Sequence, residues 1–123
     1  MIVGWQTQCS ASQPNDSKEV NTVIRVSAMY PNTTGTRFDW EYYMNKHISA
    51  VRKLTGVGLI RAEVDKGVGS AQPGAPAPFV ATCHMYFNSM EDMQKCMAGA
   101  SDLMADVVNF TNVQPQVQVS EII

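Results

Sequence analysis

Two kinds of hydrophobic periodicity alternate along this chain, and the order in which they alternate is the tightest constraint on its fold. Residues 22–30 are dense in β-branched side chains and read as a strand. Residues 40–55 repeat apolar side chains at helical spacing. Asp39 is a candidate N-cap there, Arg52 and Lys53 fill the last turn, and Gly56 and Gly58 mark the stop. Residues 59–66 alternate Ile60, Ala62 and Val64 with Arg61, Glu63 and Asp65, a strand pattern. A loop rich in glycine and proline leads to a third strand at 79–87. Ser89, with Asp92 three positions on, opens a second helix that carries Met90, Met93 and Met97 on one side. Gly99 interrupts it, residues 101–107 add a short helical piece, and residues 113–122 close the chain as a strand. The order β-α-β-β-α-β predicts an α+β, ferredoxin-like domain over residues 22–123, with a four-stranded antiparallel sheet and its helices on one face. Residues 1–21 are mostly polar and read as a flexible N-terminal extension.

Strand parity sorts the sheet into two faces. Ile24, Val26, Ala28, Ile60, Ala62, Val64, Ala81, Cys83, Met85, Phe87, Val117 and Val119 should lie under the helices. Arg25, Ser27, Met29, Arg61, Glu63, Thr82, His84, Tyr86 and three glutamines fall on the other face. An antiparallel sheet tolerates water on one side. His84, Tyr86 and Met29 are bulky for an open face, however, and favour a two-fold homodimer with the sheets face to face.

The formal net charge of -2, with no basic stripe, argues against a nucleic-acid partner. No apolar run approaches the roughly 18 residues a membrane span needs, and the first residues lack a signal-peptide core, so no membrane association is expected. Cys9, Cys83 and Cys96 form neither a disulfide framework nor a C-x-x-C metal spacing, which fits a reducing cytoplasm. No metal motif and no nucleotide-binding glycine pattern appears, so no cofactor is expected.

The chemistry concentrates on the first helix. At about 100° per residue, Trp40, Tyr43, Met44, His47, Ile48, Val51 and Leu54 share its apolar side, while Glu41, Tyr42, Asn45, Ser49, Arg52 and Lys53 share the other. His47 therefore points to the sheet. An imidazole there either bonds a core acceptor or faces a cavity as an acid–base group. Tyr43, one turn earlier, is either a core aromatic or a donor to a substrate oxygen. An apolar ligand between helices and sheet would meet Trp40, Met44, Val51, Met85, Met93 and Met97. Asp106 and Asn109, in the turn before the last strand, reach its rim or serve as turn residues.

Several blocks make the chain resemble the EthD family, named for ethyl tert-butyl ether degradation. They are Met29-Tyr30-Pro31-Asn32, Phe38-Asp39, Tyr42-Tyr43-Met44-Asn45-Lys46-His47, Lys66-Gly67 with Gly74-Ala75-Pro76-Ala77-Pro78, His84-Met85-Tyr86-Phe87-Asn88-Ser89 and Asn109-Phe110-Thr111. Together they span about residues 23–122. Val107-Val108 departs from the family pattern, in which a proline usually precedes the Asn-Phe/Tyr-Thr block. The resemblance implies a dimeric α+β barrel. It does not fix a reaction, because the wider superfamily includes cofactor-free monooxygenases, polyketide cyclases, decarboxylases and haem-handling proteins. The function expected is that of a small cofactor-independent enzyme acting on an aromatic or polyketide-like molecule, with His47 as acid–base group and Tyr43 as orienting donor. The alternative is a non-catalytic dimer that binds a hydrophobic ligand.

Overall fold

The computed structural model describes residues 22–123. The expectations for residues 1–21, including those for Cys9, lie outside the described residues. Four strands, β1 (Ile24–Pro31), β2 (Leu59–Lys66), β3 (Phe79–Phe87) and β4 (Gln116–Glu121), form one antiparallel sheet in the order β2-β3-β1-β4. The helical layer packs on one face. This is the α+β architecture that the element order predicts.

The first helical segment departs from a regular helix. It opens as α1 (Trp40–Tyr42), with Asp39 accepting a hydrogen bond from the Tyr42 amide at 3.1 Å. A π turn follows over Tyr43–His47, in which the Ile48 amide donates to the Tyr43 carbonyl five residues back. The segment continues as α2 (Ile48–Arg52) and tightens to a 3₁₀ turn over Lys53–Val57. Gly58 ends it at φ 117°, a left-handed conformation that suits a residue without a Cβ. The second helix, α3 (Met90–Ala98), starts where Ser89 Oγ accepts from the Asp92 amide at 3.0 Å. A shorter α4 (Ser101–Ala105) leads into a 3₁₀ turn over Asp106–Asn109.

Parity places most of the core correctly. Ile24, Val26, Ala81, Cys83, Met85 and Phe87 are buried beneath the helices with Tyr43, Ile48 and Val51. Ile60 was expected there, but it is 39% exposed. The ladder pairs Leu59 with Phe87 and then Arg61 with Tyr86, so Ile60 is the extra residue of a bulge and Leu59 takes the core position. Val117 and Val119 oppose Ala28 and Val26 and so share the helix side, yet they are 52% and 46% exposed. Their strand is one edge, and α2 and α3 pack on β2 and β3 toward the other edge. The last strand is also shorter than the pattern suggests, since residues 113–115 stay outside it.

Candidate active site

The turn after α4 and the π turn meet at one carboxylate. Asp106 Oδ1 accepts from the Tyr42 hydroxyl at 2.7 Å and from Asn109 Nδ2 at 2.9 Å, and its Oδ2 lies 3.0 Å from His47 Nδ1. Partial burial pushes the Asp106 carboxyl up, but donation from Asn109, Tyr42 and His47 outweighs this and holds it below its ordinary value. An ionised carboxylate only accepts, so His47 Nδ1 carries the proton. Nε2 has no hydrogen-bond partner among the described residues.

Backbone contacts bring the two turns together. Phe38 bridges to Thr111, the Asp39 amide donates to the Phe110 carbonyl at 2.8 Å, and Thr111 Oγ1 donates to the Arg37 carbonyl at 2.6 Å. The Phe110 and Thr111 amides both donate to the Val107 carbonyl, which folds residues 106–111 into a compact turn. Asp106 is thereby aimed at the helix.

The π turn decides which tyrosine reaches it. In a regular α-helix Tyr42 and His47, five residues apart, would point about 140° away from each other. The wider turn brings both to Asp106. π turns are rare, and they concentrate at functional sites.

His47 is buried, and it lines an apolar cleft between helices and sheet with Tyr30, Val51, Met85 and Met97. Its volume is about 40 Å³. Among the residues named from the sequence, Val51, Met85 and Met97 thus meet His47 in one space. Met93 is buried in the core, and Trp40 packs on Phe38 and Tyr43 with the Lys66 ammonium 5.6 Å from its ring. Neither these two nor Met44 lines the cleft. Asn109 borders a separate, more polar groove of about 300 Å³ with Arg37 and Asp39, and connects to the cleft through its bond to Asp106.

Tyr43 has no exposed surface. Its ring stacks on His47 at 5.5 Å, and Phe38, Trp40, Tyr30 and Phe110 surround it. Its hydroxyl is sealed without a partner of hydrogen-bond geometry, beside the Cys83 thiol. Burial raises that phenol well above its ordinary value and pushes Cys83 up to about 11, so both stay protonated. Helical phasing puts Tyr42 on the outer side, and the sequence does not distinguish a rim role for Asp106 from a turn role.

His84 stands on the opposite face, as parity requires. Its Nδ1 lies 2.8 Å from Ser27 Oγ and its Nε2 lies 3.1 Å from Asp65 Oδ2. It takes no part in the His47 site. No group of three or more histidine, cysteine, aspartate or glutamate side chains among the described residues is arranged to hold a metal ion.

The model of the EthD domain matches residues 32–114, most of the chain and all of the segment that builds the Asp106 cluster. The chain belongs to the EthD family. It is similar to the crystal structure of an EthD-like protein from Ralstonia eutropha JMP134. The two are 34% identical, with 84% of this chain and 94% of the other covered and a TM-score of 0.76. An ethyl tert-butyl ether degradation family protein from Bacillus halodurans C-125 shares the fold. It is 24% identical, with 82% and 99% covered and a TM-score of 0.66. No curated protein matches the chain.

Proposed function

We propose that this EthD-family protein is a small acid–base enzyme that acts on an aromatic or polyketide-like molecule bound in the apolar cleft. The observation that carries the reading is the Asp106–His47 pair, whose histidine lines the cleft. Asp106 positions the imidazole and would stabilise the imidazolium formed when Nε2 takes a proton. Val51, Met85 and Met97 offer the apolar surface an aromatic ring needs. Proton transfer by this pair calls for no cofactor. Tyr43 acts in this reading by stacking on the imidazole and fixing its plane. We also propose a homodimer in a reducing compartment. The exposed apolar side chains of edge strand β4 support the dimer, and the unpaired Cys83 and Cys96 support the compartment. Among the described residues no helix is long and apolar enough to cross a membrane.

The test is deuterium incorporation from heavy water into small aryl ketones, followed by NMR. The wild-type protein exchanges the protons next to the carbonyl, and His47→Asn abolishes exchange while retaining a cooperative melt. A His47→Asn protein that exchanges as fast as wild type refutes the assignment. The second reading, a ligand-binding dimer without turnover, is favoured by the apolar lining of the cleft. It predicts a rise in Tm with aryl ketones and no exchange.

A further inference from the structure

Tyr30 is a polar cleft residue that the acid–base reading leaves unused. It lies near the end of β1, and Phe38, Tyr43 and Phe110 hold its ring edge-on at 5.4, 5.8 and 5.6 Å. Its hydroxyl has no hydrogen-bond partner among the described residues, although buried phenols ordinarily find one. Unlike the Tyr43 hydroxyl, it is not among the sealed polar atoms, and Tyr30 lines the same cleft as His47. Burial, reinforced by Cys83 and Asp106, raises the phenol well above its ordinary value, so it stays protonated and is a ready donor.

The cleft is small. Its volume of about 40 Å³ holds about three waters at roughly 10–15 Å³ each. Tyr30 on β1 and His47 on the π turn therefore line one confined space.

We propose that Tyr30 and His47 together select ligands by one oxygen function on a single small ring, an acidic hydroxyl or an enolisable carbonyl, with Tyr30 on the oxygen and His47 on the acidic proton. The proposal rests on the acid–base reading of His47. With a phenol, the O–H bond breaks, its electron pair stays on oxygen, and the proton moves to His47 Nε2. With a carbonyl, a neighbouring C–H bond breaks, its pair forms the carbon–carbon double bond, and the carbonyl pair moves onto oxygen. Nε2 again takes the proton. In both cases the Tyr30 hydroxyl donates to the oxygen anion, and the new imidazolium faces the Asp106 carboxylate. An ether of the same shape has no proton to give and leaves the basic nitrogen without a donor. The ring enters as Met85 and Met97 rearrange, since methionine is unbranched and adapts to irregular space.

The test titrates the full chain with 4-nitrophenol and with its methyl ether, 4-nitroanisole, and follows absorbance. Wild type binds the phenol about ten-fold or more tightly than the ether, with the bound probe in its anionic form at a pH where the free probe is mostly neutral. Tyr30→Phe removes one oxygen and keeps the ring packing. It lowers phenol affinity about ten-fold and leaves ether affinity unchanged. Full phenol preference in Tyr30→Phe overturns the role of Tyr30. If His47→Gln at the same time loses the anionic band, the acid–base reading stands. An anionic band that survives in His47→Gln refutes that reading instead. Equal binding of both probes by wild type, or binding of neither, overturns oxygen selection without recourse to any variant.

Discussion

Replacing Asp106 with asparagine changes one charge and almost no volume, and it probes the hub of the site directly. The carboxylate accepts from three side chains, Tyr42, Asn109 and His47, and is 22% exposed. A hydrogen bond to a charged group contributes about 1.5–3 kcal/mol, and a neutral one about 0.5–1.5. The amide must also point one NH₂ at a group that now donates to Asp106. Asp106→Asn should therefore cost about 1–2 kcal/mol near neutral pH, after allowance for the exposed part of the carboxylate. That corresponds to a fall in Tm of about 4–12 °C for a domain of this size. The pH dependence gives a second signature. The carboxyl is held below its ordinary value of 3.8 in the folded state, so the stability it contributes is fully present above about pH 4. That stability fades as pH falls through the folded value. Thermal melts of wild type and Asp106→Asn between pH 3 and pH 7 should thus show a gap in Tm that is constant down to about pH 4 and narrows below it. A gap that stays constant down to pH 3, or no gap at pH 7, refutes the account of Asp106 as an ionised acceptor.

Further consequences are open to simple measurements. Tyr42→Phe removes the 2.7 Å donor to Asp106 and should shift the urea midpoint downward, while Tyr43→Phe, which loses only a sealed and unpartnered hydroxyl, should leave it unchanged or raise it. Leu59→Ala should cost about 2–5 kcal/mol and Ile60→Ala under about 1, since the bulge buries the first and exposes the second; equal costs in chemical denaturation would contradict the register. Gly67→Ala should lose more than about 3 kcal/mol or fail to fold, because its Cβ would overlap the Phe79 carbonyl oxygen and stand 2.8 Å from the Ala77 Cβ; a wild-type melt would show that the β2–β3 connection packs otherwise.

Much of this fold is legible in the chain. The alternation in residues 59–66 and the β-branched run before Tyr30 announce strands, and Ser89 announces a helix start that its side chain then makes. The face occupied by His84 follows from parity alone. What escapes is set by local irregularity and by partners distant in sequence. The Ile60 bulge breaks the period of two inside a run whose composition looks regular. The exposure of Val117 and Val119 depends on how far the helices reach across the sheet, which no strand pattern encodes. At the site, His47 stands out because it is a histidine on an apolar stripe. Its partner Asp106 lies 59 residues away and looks like any turn aspartate. Fixed α-helical phasing turns Tyr42 away from His47, because it does not anticipate a π turn.

The π turn also bears on how this site would be traced in other chains. A π turn absorbs one additional residue while the helix on either side keeps its phase. A relative one residue shorter here could present the same tyrosine–histidine–aspartate constellation from an unbroken α-helix, with the tyrosine four positions before the histidine in place of five. A search pattern with a fixed gap of three residues, applied to this chain, would select Tyr43 and miss Tyr42, whose hydroxyl holds the aspartate. Gap placement at Tyr43–His47, more than residue identity, decides whether two members are recognised as sharing this site. Deleting the exposed Asn45 should close the helix, keep the constellation and mark that residue as the dispensable one.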